Sequence, residues 1–302
     1  IILKKILITG ISGYIAPYLS KALLLTGEAS LTGVYNSNKP NISGIDLIKC
    51  DLANNDELEQ IFNEVKPEIV YHLASVTPTR ITTQKEDYIN YFNAEVTGNI
   101  AKLCSNINAL MIYTSTDLVY KAGNDLREDT SPLDPLTIYA QTKLEGELAV
   151  KEFAKSHLIL RTSLVYGFTL SSYTSFFDVA YKSLIEGKEL RAFTDQFRNA
   201  IYVEDAADIL VKLPALYKQN DVINFCGNEY LSRYEMCIGM CEAFGLDKGL
   251  VIPASCDEFT VYPTVKELGL SSKKLHEYGL KTGSYTDNLE RAKSICLSRI
   301  CA

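Results

Sequence analysis

Histidine occurs only three times in 302 residues, and none of the eight cysteines belongs to a C-x-x-C pair. That scarcity argues against a structural zinc site, and no metal is expected. An excess of cationic residues is also missing: thirty Lys and Arg face thirty-seven Asp and Glu, a formal charge of −7. A chain of that sign is not built to grip nucleic acid nonspecifically, so any anionic ligand must meet locally placed donors. Long apolar runs are absent as well. The most apolar early stretch, Tyr14 to Leu25, is broken by Pro17, Ser20 and Lys21, and nothing approaches the ~18 residues of a membrane span. Without a secretory apolar segment, the scattered cysteines read as free thiols in a reducing compartment, and the cytoplasm is the expected location.

What is present is a globular composition, 47% hydrophobic and 22% charged, which excludes disorder and a disulfide-stapled mini-fold and supports a sizeable core. The length suits one large α/β domain carrying a lobe. Ile6 to Thr9 is a strand-like run stopped by Gly10, after which Leu19, Ala22 and Leu23 recur at helical spacing. The alternation continues, with strands predicted at 31–35, 68–73 and 110–114 and helices at 56–65, 88–106 and 138–153. Such alternation predicts a doubly wound parallel sheet covered on both faces. Beyond Thr162 the periodicity weakens. Helices are predicted at 203–216 and 232–244 around a strand at 222–225, the second helix opened by a capping box of Ser232 and Glu235. The expected organisation is a dinucleotide-binding domain at 1–165 with a return segment near 200–225, and a smaller substrate-binding lobe from 166–199 and 226–302.

Gly10-Ile11-Ser12-Gly13-Tyr14-Ile15-Ala16 follows the first strand and opens the first helix. In that setting a glycine turn and a helix N-terminus bind pyrophosphate, the mark of a Rossmann-type sheet. The spacing is G-x-x-G-x-x-A, with the last glycine replaced by Ala16. At the end of the second strand, where a carboxylate usually holds a free ribose hydroxyl, stand Asn36, Ser37, Asn38 and Lys39. A 2′-phosphate meets donors there rather than repulsion, so NADPH is favoured over NADH. Asp51 and Leu52 are expected beside the adenine, and Leu73, Ala74 and Ser75, at the carboxyl edge of the sheet, beside the cofactor ribose.

The strand ending in Ser115-Thr116-Asp117 is followed, 23 residues after Thr116, by Tyr139-Ala140-Gln141-Thr142-Lys143. Tyrosine and lysine four apart share one helix face. An ammonium there stabilises a phenolate; lowering a tyrosine pKa from about 10 to about 7 needs roughly 4 kcal/mol. Tyr-x-x-x-Lys alone is common, and it becomes specific when joined to the glycine loop and Thr116.

With these residues the chain resembles the extended short-chain dehydrogenase/reductases, and within them the dTDP-4-dehydrorhamnose reductase family. Further likeness lies in Val65 to Ala74, Leu160 to Gly167, Ile201 to Asp205 and Leu231 to Glu235. The resemblance implies Thr116, Tyr139 and Lys143 as catalytic residues, with Tyr139 and Lys143 also binding cofactor. It implies NADPH-dependent reduction of a sugar-nucleotide C4 carbonyl, and an Asn93 that supports the site through its main chain. Related dehydratases carry Thr-Asp-Glu where this chain has Thr116-Asp117-Leu118, so a group for proton abstraction is missing and plain carbonyl reduction is expected. Thr116, Asp117, Arg198 and Arg80 are the candidate substrate residues, the two arginines for the diphosphate. Many relatives dimerise through the helices predicted here at 88–106 and 138–153, so the resemblance admits a homodimer. Two other readings share the fold: a nonenzymatic NADP-binding subunit resembling the methionine adenosyltransferase regulatory subunit, and a sugar-nucleotide epimerase.

Overall fold

The computed structural model describes residues 3–77, 85–259 and 264–300. In its first half the chain runs β1 (Lys4–Thr9), α1 (Ile15–Thr26), β2 (Ala29–Tyr35), β3 (Asp46–Lys49), α2 (Asn55–Val65) and β4 (Ile69–His72). Next comes a helix in three registers, Glu86–Asn90, a π-helical stretch Tyr91–Val96 and Thr97–Asn106, together α3. Then follow β5 (Leu110–Thr116), β6 (Gly123–Arg127), α4 (Ile138–Phe153) and β7 (His157–Thr162). The second half adds β8 (Val165–Tyr166), α5 (Phe176–Ile185), β9 (Leu190–Phe193), β10 (Phe197–Arg198), β11 (Ile201–Tyr202), α6 (Val203–Leu216) and β12 (Asp221–Phe225). It ends with β13 (Leu231–Ser232), α7 (Arg233–Phe244), β14 (Val251–Ala254), β15 (Glu267–Leu270), α8 (Lys273–Glu277) and α9 (Tyr285–Ile300).

Seven strands form one parallel sheet in the order β12-β7-β5-β4-β1-β2-β3. The chain starts in the middle, runs out to β3, then crosses back to β4 and builds the other half. This is the Rossmann-type winding, and the reversal between β1 and β4 leaves a crevice at the strands' carboxyl ends. Both faces are covered, which is why Ile6 to Thr9 and Ile69 to His72 are buried without alternation. Leu19 of α1 and Leu210 of α6 pack on one face, and Phe62, Ile100 and Val150 of α2, α3 and α4 on the other.

Pro17 is the third residue of α1. The first four N–H groups of a helix have no internal acceptor, so its missing donor costs no helical bond. The predicted capping box is present: the Ser232 hydroxyl accepts from Glu235 N–H, and the Glu235 carboxylate returns the bond. Outside that sheet the strands are two to five residues long, in the order β13-β10-β15-β6 and in the pairs β8/β11 and β14/β9. β6 lies inside the stretch read as the dinucleotide-binding domain but pairs with β15.

Glu147 of α4 has no exposed surface. It accepts from Arg161 Nη2 at 2.8 Å and Nε at 3.0 Å, and from Ser115 Oγ at 2.7 Å. Removing one partner of a buried pair strands the other charge. Glu147→Ala is expected to lower unfolding free energy by about 3–5 kcal/mol, read from urea midpoints; a loss under ~1 kcal/mol would show that water reaches Arg161.

Candidate active site

The glycine loop closes on the sheet edge. Gly10 has φ +71°, and a Cβ there would stand 2.7 Å from Ala74 N, so both conformation and space require glycine. Gly13 N–H donates to Gly10 O at 2.9 Å, turning the chain into α1. Tyr14, at the N-cap, offers no side-chain acceptor to the first turn. The helix therefore presents its N–H groups and positive dipole end toward the crevice, as an anion site does.

A cleft of about 550 Å³ runs from this turn along the sheet edge. Gly10, Ser12, Gly13, Tyr14 and Ile15 form its floor, and Asn36, Ser37 and Asn38 one end, where the Ser12 hydroxyl donates to Asn38 O. Leu52 and the edge residues Leu73, Ala74 and Ser75 line it too. Asp51 stands outside the lining, its Oδ1 accepting from Ala53 N–H at 3.0 Å. Sequence reasoning missed Tyr88 and Phe92, an aromatic pair one turn apart on the wall, although that i,i+4 spacing was a readable signal. It also missed Ser172 and Tyr173, from the segment after β8. There Tyr173 stacks on Tyr14 with centroids 5.7 Å apart, and Ser171 Oγ donates to Gly13 O at 3.1 Å.

Beyond the cleft, Thr116, Tyr139 and Lys143 come together. The neighbouring Ser75 and Thr116 hydroxyls act to lower the pKa of the Tyr139 phenol. Desolvation and the Asp117 charge outweigh them and push it well above the usual tyrosine value. Lys143, one turn on, is 1% exposed, with Nζ 4.1 Å from the Tyr113 ring centroid. Burial brings its pKa down to about 7, against the pull of Glu147. His72 stacks on the same Tyr113 ring, with centroids 5.6 Å apart, its nitrogens 2.7 and 3.0 Å from the Thr9 and Thr97 hydroxyls. Burial and then Lys143 hold its pKa down to about 3, so it is a neutral packing group.

Asp117 is buried beside Thr116. It accepts from Ser163 Oγ at 3.2 Å and lies 3.5 Å from Arg198 Nε. Desolvation raises its pKa, opposed first by Arg198. Arg198 is itself buried: Nη1 donates to Phe197 O and Lys266 O at 2.6 and 3.1 Å, and Nη2 to Val265 O at 2.7 Å. Its guanidinium is largely committed to the lobe. Arg80 lies outside the described residues. Among the described residues no group of three or more His, Cys, Asp or Glu could hold a metal ion, and no helix is long and apolar enough to cross a membrane.

Lys143 gives a stability signature. Its folded pKa is depressed, so between about pH 7 and 10.5 the unfolded chain holds a proton that the folded one does not, and stability rises with pH there. Relative to Lys143→Met, the wild type should be weakest at pH 6 and regain stability toward pH 10, measured as the difference between urea midpoints. A pH-independent difference would refute a depressed Lys143.

Comparison with known proteins places this geometry. Methionine adenosyltransferase 2 subunit beta of Xenopus tropicalis is 27% identical over 286 residues, 92% of this chain and 83% of that protein. The dTDP-4-dehydrorhamnose reductase of Escherichia coli (strain K12) is 28% identical over 205 residues, 68% of this chain and 64% of that one. The structure of a dTDP-4-dehydrorhamnose reductase from Bacillus anthracis str. Ames, in complex with NADP, superposes with a TM-score of 0.83 at 23% identity, covering 96% of this chain and 98% of that one. The RmlD substrate binding domain family matches residues 4–294, nearly the whole of the described chain, and the protein belongs to that family.

Proposed function

We propose that the chain is an NADPH-dependent reductase of the C4 keto group of a 4-keto-6-deoxy sugar nucleotide. The observation that carries this reading is the grouping of Tyr139, a phenol kept protonated by desolvation, with the Thr116 hydroxyl beside it and the buried Lys143 one helical turn on. A ketone under reduction gains negative charge on its oxygen, and a proton donor paired with a second hydroxyl stabilises that oxygen.

The cleft suits the dinucleotide: the Gly10 turn leaves no room for a side chain, α1 presents uncapped N–H groups, and the Asn36–Asn38 end brings no carboxylate. When bound, NADPH supplies the hydride. Tyr139 gives its proton to the carbonyl oxygen, and Thr116 donates a hydrogen bond to the same atom. Lys143 holds the ribose and favours the phenolate that Tyr139 becomes. Its pKa near 7 lets it replace the proton from solvent near neutrality.

A second reading has its own support, since a relative aligned over 92% of this chain is methionine adenosyltransferase 2 subunit beta. Under it the same cleft binds NADP(H) and no keto sugar turns over. NADPH absorbance, followed with dTDP-, UDP-, GDP- and CDP-linked 4-keto-6-deoxy sugars and with NADH in parallel, separates the two. Oxidation with one sugar, faster with NADPH, is the expected result. Tyr139→Phe should then lower kcat by about 10²–10⁴ while NADPH affinity stays within about twofold. Tight NADPH binding without turnover, together with capture of a stoichiometric larger partner, would favour the regulatory reading.

A further inference from the structure

Arg233 is the first residue of α7, yet it does not cap that helix, because Ser232 and Glu235 do so reciprocally. Its guanidinium lies over the Phe176 ring, 4.7 Å from the centroid, and Nε donates to Gln196 Oε1 at 3.1 Å. One face and one edge of the group are thereby held. Nη1 is buried and has no hydrogen-bond partner among the described residues. Such an atom is costly to leave unpaired, and rare in a folded protein unless something else is meant to meet it.

The surrounding charges point to the kind of ligand. Arg233 feels Arg198 as a repulsion and Asp117 as an attraction. Asp117 is already engaged by Arg198 and Ser163. Two cations therefore share one carboxylate, and a positive charge is left over on the lobe side of Thr116. Burial and then Arg198 draw the Arg233 pKa down to about 10, a deficit that a bound anion would relieve.

We propose that Arg233, through Nη1, binds a phosphoryl oxygen of the substrate's nucleoside diphosphate, while Arg198 positions Asp117. The inference rests on the sugar-nucleotide reading of the site. A sugar nucleotide carries its diphosphate on C1, across the ring from C4. With C4 at Thr116 and Tyr139, that charge points toward the lobe, where Gln196 and Phe176 hold the Arg233 plane. A carboxylate on the sugar would offer similar oxygens, so the test separates the two.

The test is isothermal titration of NADPH-loaded protein, which keeps the dinucleotide cleft filled. The probes are dTDP, UDP, GDP and CDP, with glucuronate as the carboxylate probe. The wild type should bind at least one diphosphate. Arg233→Met should weaken that binding about 10- to 100-fold, in line with loss of a charge-assisted hydrogen bond, with NADPH affinity unchanged. Arg233→Lys, which keeps charge and stem, should lose less, and it serves alone if the methionine variant does not fold. Diphosphate affinity within twofold of wild type in the variant tested overturns the proposal. So does a wild type that binds no diphosphate, or one that binds glucuronate only. If no keto sugar is reduced but diphosphate binding still depends on Arg233, the reductase reading fails and this assignment stands. Reduction with a diphosphate affinity indifferent to Arg233 does the reverse.

Discussion

The carboxylate of Glu147 is the constraint on which the site depends. It sits on α4 two turns beyond Tyr139 and one beyond Lys143, on the same face. Its hydrogen bonds reach Arg161 on β7 and Ser115 on β5, the residue before Thr116. One buried group thus fixes the rotation of the helix that carries tyrosine and lysine against the strand that carries threonine. An ion buried with no exposure is tolerated only when its lone pairs are satisfied, and here a guanidinium and a hydroxyl satisfy them. Arg161 spends a further donor on Asp129 O at 3.0 Å, which anchors the segment leading to α4.

Close approach completes what the carboxylate begins. A Cβ at Gly146 would lie 2.3 Å from the Tyr113 hydroxyl and 2.6 Å from Asn93 O, so α4 touches both β5 and α3 where a side chain cannot fit. Asn93 falls in the π-helical stretch of α3, a widened turn of the sort found at functional sites. Its carboxamide accepts from Val76 N–H at 2.8 Å and donates to Val76 O and to Thr142 Oγ1. The loop bearing Ser75 and the helix bearing Tyr139 are therefore tied through one side chain. The resemblance placed the support in the Asn93 main chain; the ties this structure shows between that loop and helix run through its carboxamide.

The sequence disclosed those parts of the fold that are coded locally. Buried parallel strands read as unbroken apolar runs, α4 appears at the predicted 138–153, and the glycine turn is specified by space and φ at Gly10. The lobe was not legible in the same way. Its strands β10 and β13 are two residues long, and β6 pairs with β15 more than a hundred residues away, so no periodicity marks them. The arginines show the same limit. Residue type suggested a phosphate role for Arg198, but its use depends on three backbone carbonyls and Asp117, which the fold brings to it. Arg233 carried no signal beyond its place after a capping serine, because an unpartnered nitrogen exists only in three dimensions.

Charge bearing on the site works at two ranges that oppose each other. The chain carries −7 overall, and a dinucleotide phosphate is a polyanion, as the proposed sugar nucleotide is, so the distant field repels such ligands. In 0.1 M salt that field is screened beyond about 10 Å. What remains acts at contact: the uncapped start of α1, Lys143 at 1% exposure, and the buried Nη1 of Arg233. Desolvated charges interact far more strongly than exposed ones, and an unpaired one gains most when its counterion arrives. Arg198 already has Asp117 and gains least. Attraction is therefore concentrated on the few cations the fold has left incompletely compensated, and those, rather than the net charge, decide which anion stays.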